Sequence, residues 1–308
     1  MMNTAKKPLV YAIVLHYLNE KDTSECIESL MEANFNELNI VIVDNCSPNN
    51  SLNILEKKYP QLTFLKTEFN SGNAGGLNVG VKFALEKSAD YILLSDNDMV
   101  FHKDFLAPLI RSLDENSEVG IVSPKILYKN NPETIYCAGG RVSRFFCGGI
   151  ATHQGKKEKI YNNLGEEISF AEGCCLFVKR KVFENIGLMN EKFFMYFEDV
   201  DFSIRVRKEF KIIYNPDSIV YHKCGAGIKW HEYSPLYYYY YTRNRFLIFK
   251  NDSLYYKIYV FLFSTANSIA KTLVLLVAYL FNFQDKVKLN SLKSLWKGYR
   301  EGLILFFH

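Results

Sequence analysis

Short apolar runs rich in β-branched and aromatic residues recur through the first hundred positions, at Leu9–Leu15, Ile40–Val43, Leu62–Leu65 and Tyr91–Leu94. Between them, Thr23–Asn34 and Gly76–Lys87 carry apolar residues at helical spacing, so strand and helix patterns alternate. Such alternation predicts an α/β fold: a mostly parallel central sheet flanked by helices, with ligands at the carboxyl ends of the strands. From about Val119 the pattern loosens into strands and long polar turns. It firms again at Phe170–Val178, a helix over Glu198–Glu209 and a strand pair near Lys211–His222. With no internal repeat or low-complexity linker, the economical division is one main domain over residues 1–230 and a helical C-terminal appendage over 231–308.

The appendage is apolar and basic at once. Ile258–Phe283 is strongly apolar, but Asn267, Ser268 and Lys271 interrupt it, leaving no unbroken run of the about 18 apolar residues expected of a spanning helix. From Lys250 to His308 there are eight Lys/Arg against three Asp/Glu, while the whole chain carries only +4; the positive excess is therefore C-terminal. Two readings stand side by side. One is an interfacial helix or hairpin whose Lys257, Lys286, Lys288, Lys293, Lys297 and Arg300 meet an anionic membrane surface. The other is a cap packed on the main domain, or a homodimer interface. Tyr237–Tyr241, five consecutive tyrosines, would wrap all sides of a helix and suit a surface shared between protein and lipid or substrate.

Composition changes this picture little: 308 residues, 48% of them hydrophobic, suffice for one large core or two modest ones. Seven cysteines, no Cys-x-x-Cys pair and no leading apolar segment point to reduced thiols and a cytoplasmic protein, peripheral on the inner face of the plasma membrane if the tail binds lipid. Adjacent Cys174 and Cys175 cannot form an unstrained disulfide. No basic stripe accompanies the sheet motifs, which argues against nucleic acid as a partner.

Every polar cluster of interest falls at a predicted strand end. Asp96 and Asp98 close the fourth apolar run; side chains that alternate faces along a strand converge where the chain turns, so this pair could hold a divalent cation on diphosphate oxygens, although a solvated turn would look the same. Asp44 reads either as an acceptor for the ring N–H of a pyrimidine, with Tyr17 or His16 stacking nearby, or as a turn cap before a helix near Leu52. Gly72, Gly75, Gly76 and Gly80 permit close backbone approach, and Asn73 and Asn78 add donors at a helix N-terminus where anions are welcome. These glycines follow the third run rather than the first, unlike a dinucleotide fingerprint. Glu198-Asp199-Val200-Asp201 opens a helix. The helix dipole and an Asp201–Arg205 pair would explain it structurally, whereas a carboxylate beside Phe194, Tyr196 and Phe197 would be desolvated and suited to general-base work. His222, followed by Gly225 and Gly227, is a third metal ligand if the fold brings it to Asp98, and imidazole favours Mn²⁺ over Mg²⁺.

Taken in order, Val-Asp-Asn-x-Ser at 43–47, Asn-x-Gly-Asn-Ala-Gly-Gly-x-Asn at 70–78, Asp-x-Asp at 96–98, Glu-Gly-Cys-Cys at 172–175, Phe-Met-Tyr-Phe-Glu-Asp-Val-Asp at 194–201 and Tyr-His at 221–222 resemble family 2 glycosyltransferases, in particular the bacterial rhamnosyltransferase-like branch, over roughly residues 9–250. The resemblance implies a GT-A fold and an inverting, metal-dependent transfer of a sugar, rhamnose favoured, from a nucleotide-diphosphate donor such as dTDP-rhamnose or a UDP-sugar to a glycan or lipid-linked glycan acceptor of the bacterial surface. Carried onto this chain, it puts Tyr17, Asp44, Asn45, Asn70, Gly72, Asn73, Gly75, Gly76, Asn78 and Asp96 on the donor side. Asp96, Asp98 and His222 would hold Mn²⁺ or Mg²⁺, and Asp199 would be the catalytic base. Gly173, Cys174, Tyr196 and Glu198 would lie on the acceptor side, which Met189–Tyr196 and Val142–Leu164 help to shape. Arg243 and Asn244 would sit near the diphosphate or act as a structural clamp.

Two departures from the family pattern concern the base and ribose contacts: Asn49-Asn50 replaces the usual Asp after the Ser47 position, and His16-Tyr17-Leu18-Asn19 replaces Thr-Tyr-Asn. Among rivals, a sugar nucleotidyltransferase should carry a glycine-rich, basic loop after its first strand, and Leu15–Glu20 has none. A non-catalytic nucleotide-sugar-binding scaffold would tolerate loss of Asp199.

Overall fold

The computed structural model describes residues 7–35, 37–160, 166–223, 234–281 and 285–307. Its first half is the expected alternation. Strands β1 (Val10–His16), β2 (Leu38–Asp44), β3 (Thr63–Lys66) and β4 (Tyr91–Asp96) are parallel, and α1 (Glu20–Met31), α2 (Ser51–Lys58) and α3 (Gly72–Glu86) connect the first four strands. The register sets His16 beside Asp44 and Leu15 beside Asp96, so three polar strand ends meet along one edge. Period-two alternation splits the apolar residues between two cores. Ala12, Val14 and Ile42 face α1 and α2 through Ile27, Leu30 and Leu55, while Ile13, Val41 and Val43 face α3 through Leu77 and Val81.

The rest of the main domain extends the same sheet and adds a separate two-stranded hairpin. Beyond the short β5 (Met99–Phe101) and helix α4 (Leu106–Glu115) come β6 (Val119–Tyr128) and β7 (Asn131–Ala138). The hairpin β8 (Gly140–Ser143) and β9 (Gly148–Ala151) precedes β10 (Glu167–Ile168), β11 (Cys175–Lys179), α5 (Arg180–Ile186), α6 (Glu198–Val206) and β12 (Lys211–His222). The strand order is β10-β12-β6-β11-β4-β1-β2-β3. Antiparallel β11 joins the parallel half at β4 to the parallel pair β6 and β12. Where the sequence suggested a strand pair at 211–222, one strand runs throughout. A register shift between Asn215 and Ile219 lets its end pair with both β6 and β5, and that bulge carries His222 back to β4's exit.

Beyond β12 the described residues form three helices: α7 (Pro235–Ile248), α8 (Leu254–Phe281) and α9 (Lys286–Phe307). Residue 231, where the sequence placed the boundary, lies outside the described residues, as do Gly225 and Gly227. Gly298 and Gly302 let α9 press onto α7, since a Cβ at Gly298 would meet the Tyr239 carbonyl oxygen at 2.3 Å. Helix α8 runs antiparallel to α9, tied by Trp296 Nε1 donating to Thr272 Oγ1 at 3.0 Å and by the Thr265–Tyr299 hydroxyl pair at 2.7 Å. The interruptions at 267, 268 and 271 do not shorten α8, which is long and apolar enough to cross a membrane by length and composition. They share one face and turn it inward: Asn267 Oδ1 accepts from Arg245, Ser268 is buried, and the Lys271 ammonium lies 5.0–5.8 Å from the ring centres of Tyr237, Tyr238 and Tyr241.

Candidate active site

Three elements converge at the exit of β4. Asp96 ends that strand, Asp98 lies in the turn before β5, and His222 ends β12, so one ligand atom from each falls within 4.8 Å of the others. His222 Nε2 stands 3.1 Å from Asp98 Oδ2, and Tyr136 packs edge-on against the imidazole at 4.6 Å. The backbone fixes the turn: Asp96 N–H donates to the Cys174 carbonyl and Lys223 N–H to the Asp98 carbonyl, both at 3.1 Å. The Lys223 side chain reaches back to Asp22 and Glu25 of α1. Two carboxylates and an imidazole at this spacing suit a divalent cation.

Asp199 occupies the first turn of α6. Its Oδ2 accepts from the Gly173 N–H at 2.9 Å and its Oδ1 from the Val200 N–H at 2.8 Å. Burial pushes its carboxyl up to about 6, against the pull of those backbone donors. Each carboxylate oxygen has a second lone pair, so the group can still take a proton from a bound hydroxyl. Around it the acids crowd. Burial and then the Asp98 charge push Asp96 up to about 7. Burial and then Asp199 push Glu172 up to about 8 and Glu198 well above the carboxylate range. Glu198 is buried and Asp96, Glu172 and Asp199 are half-buried, and acids crowded in this way with raised proton affinity suit a bound positive charge. Glu172 was not singled out as a functional residue from the sequence; the only signal was its place immediately before Gly173 in the Glu-Gly-Cys-Cys motif.

Several residues expected on the donor side instead form the framework beneath the cleft. Asn45 is buried, donating to Asn70 Oδ1 and the Gly72 carbonyl and accepting from Ser71 N–H, so its amide is spent on holding the 70–72 loop. Asn78, also buried, binds the Met189 backbone through both its amide atoms and donates to Glu191. Gly75 and Gly76 pack against Ser71 and Leu15, and the Cys174 side chain belongs to the core. Arg243 donates to the Lys192 carbonyl, and Asn244 to those of Met195 and Tyr196, which is the clamp reading. Asp44 is fully buried and accepts from the Ser47 N–H, and both ring nitrogens of His16 are engaged, with Thr23 and Ser51. Tyr17 stands 40% exposed at the rim. The two departures from the family pattern meet each other: Asn49 Nδ2 donates to the Leu18 carbonyl at 2.8 Å, while Leu18 N–H donates to Ser47 Oγ at 3.0 Å.

The glycine loop is locked to the aromatic segment before α6. Gly72 has φ +73°, and a Cβ there would lie 2.0 Å from the Phe194 carbonyl oxygen, the same oxygen that accepts the Asn73 N–H at 2.7 Å. The Asn73 side chain donates to Glu198 Oε1 at 2.9 Å, whereas among the described residues Asn73 Oδ1 and Glu198 Oε2 are buried with no hydrogen-bond partner. Left-handed backbone at Tyr196 and Phe197 (φ 65° and 72°) turns the chain into α6; such strain persists where its surroundings over-determine it. Gly72→Ala is therefore expected to cost about 2 kcal/mol or more, lowering Tm by several degrees and weakening donor binding. An unchanged Tm in a thermal melt would show that the loop is not so constrained.

The match to the glycosyl transferase family 2 model runs over residues 11–187, more than half the chain, and the chain belongs to this family. Among curated relatives, the low-salt glycan biosynthesis hexosyltransferase Agl10 of Haloferax volcanii is 26% identical over 198 residues, covering 64% of this chain and 61% of that protein. The dTDP-rhamnosyl transferase RfbF of Shigella flexneri is 25% identical over 256 residues, 79% of this chain and 80% of that one. In solved structures, the mannosyltransferase PcManGT of Pyrobaculum calidifontis, in complex with GDP-Man and Mn²⁺, superposes with a TM-score of 0.57 at 16% identity, covering 98% of this chain and 86% of the other. Residues 1–349 of S. aureus TarS in complex with UDP-GlcNAc give 0.54 at 19% identity, covering 96% and 81%. These likenesses establish the GT-A architecture expected from the sequence.

Proposed function

We propose that this chain is an inverting hexosyltransferase that moves a sugar, rhamnose favoured, from a nucleotide-diphosphate donor to a hydroxyl of a surface glycan or lipid-linked glycan at the inner face of the membrane. The observation that carries the reading is Asp199: a half-buried carboxylate at a helix N-terminus, beside the Asp96–Asp98–His222 group, with its proton affinity raised to about 6. Asp199 takes the proton of the acceptor hydroxyl as that oxygen bonds to the anomeric carbon. The bond to the donor's diphosphate oxygen breaks, and its electron pair leaves with the nucleotide diphosphate. Asp96, Asp98 and His222 would hold Mn²⁺ or Mg²⁺, which when bound offsets charge on the departing diphosphate.

The donor's base is assigned to the rim at Tyr17 above Asp44, and its sugar to the side of the cleft where Asn73 Oδ1 and Glu198 Oε2 want partners. The names of RfbF and of the Mycobacterium tuberculosis N-acetylglucosaminyl-diphospho-decaprenol L-rhamnosyltransferase, 21% identical over 217 residues, support rhamnose and a lipid-linked acceptor. The base must be ionised to act. Its raised pKa therefore predicts that kcat/KM falls as pH drops through about 6, roughly tenfold per pH unit below it. A rate flat to well below that pH would remove Asp199 as the base.

A further inference from the structure

Helix α8 turns a stripe of apolar residues outward. On α8 the inward face carries Ser264, Asn267, Ser268 and Lys271, whereas Leu262, Ile269, Leu273, Leu276 and Leu280 are 42–59% exposed. Their spacing of seven, four, three and four residues draws one stripe along the helix, the reverse of what water selects. The stripe continues through Tyr255 and Ile258 to the tip of the β8–β9 hairpin, where Phe145 and Phe146 are 67% and 50% exposed. That tip is fastened to α8. Arg144 forms a bidentate pair with Asp252 at 2.9 Å and lies 3.6 Å over the Tyr256 ring, and the Tyr256 and Tyr259 hydroxyls donate to the Arg144 and Phe145 carbonyls at 2.7 Å. The base of the same hairpin touches the catalytic helix, with Gly148 against Phe197 and Gly149 against Val200.

Charge accompanies the stripe. On α9, Lys286, Lys293, Lys297 and Arg300 are exposed, and steps of seven, four and three put them on one face. Because α8 is bonded along its length to α9, it could not cross a bilayer without drawing these cations into hydrocarbon. A two-fold dimer through the same face would bring two copies of the basic stripe together.

We propose that the outward face of α8, with the Phe145–Phe146 tip at its N-terminal end, lies in the plane of an anionic lipid bilayer, with the α9 cations on its headgroups. This deepens the membrane-side placement proposed above but stands apart from the reaction itself. In vesicle flotation the full chain should rise with equimolar phosphatidylcholine and phosphatidylglycerol and far less with phosphatidylcholine alone. Lys293→Gln with Arg300→Gln should lower the bound fraction about tenfold or more, since each cation near such a surface contributes about fivefold. Leu273→Glu with Leu280→Glu should lower it as well, with Tm and donor turnover on a soluble acceptor unchanged, and Phe145→Ser with Phe146→Ser should lower it too, with Tm unchanged. The proposal is overturned if the folded wild type stays at the bottom of the gradient. It is equally overturned if light scattering finds a dimer that Leu273→Glu with Leu280→Glu converts to monomer without any vesicle binding. Flotation without sugar transfer would keep the docking surface and remove the reaction.

Discussion

Asp199→Asn is expected to lower kcat by about 10²- to 10⁴-fold, the range a positioned general base supplies, while donor affinity stays close to wild type. The substitution keeps the shape and removes the ionisable oxygen. It should not unfold the protein, and the sign follows from linkage. Because the folded pKa of Asp199 is raised from 3.8 to about 6, its ionisation opposes folding: the stability it allows at low pH is lost as pH rises through that window. Asn removes this cost at neutral pH and gives up one of the two acceptances from Gly173 and Val200. A melt should therefore place its Tm near or above wild type, and isothermal calorimetry should find the donor still bound. Loss of activity with loss of fold would assign Asp199 to structure instead.

The second large effect is expected at the metal group. Treatment with a chelator should reduce transfer roughly a thousandfold, the several kcal/mol that a Lewis acid offers a departing diphosphate, and Mn²⁺ should restore it. Asp98→Ala should resist restoration, because Asp98 faces His222 directly at 3.1 Å while Asp96 is also held by its place in the sheet. A readout independent of turnover is thermal: Mn²⁺ should raise the Tm of the wild type and not that of Asp98→Ala, as binding to the folded state alone requires. Full activity in excess chelator would exclude the cation from the reaction.

Much of this architecture is legible in the sequence. The parallel half of the sheet announces itself because β1, β2 and β4 are buried on both faces and so read as apolar runs. Asp96, Asp98 and His222 were legible as a candidate ligand set because each lies beside a strand end, and the fold brings one ligand atom of each within 4.8 Å of the others. The misreadings share a physical cause, which is that linear spacing carries no partner. Asn45 and Asn78 look like ligand donors, but their partners lie 25 and 111 residues away, and only the fold reveals that their amides are already engaged. The start of α1 at Glu20 is set by Asn19 accepting from the Asp22 N–H, ahead of the apolar period. In α8, three polar residues read along the chain interrupt an apolar run; around the helix they gather on one side, and the run is continuous on the other.

The most direct measurement is a transfer assay with dTDP-rhamnose and the common UDP-sugars, supplied with Mn²⁺ and a glycan or lipid-linked acceptor, in which released nucleotide diphosphate is quantified and the product's anomeric configuration read by NMR. A family 2 enzyme built on Asp199 should release nucleotide diphosphate from one donor in step with acceptor glycosylation, with the configuration inverted. Tight donor binding with no turnover on any acceptor would leave a nucleotide-sugar-binding protein, and a retained configuration would contradict the single displacement.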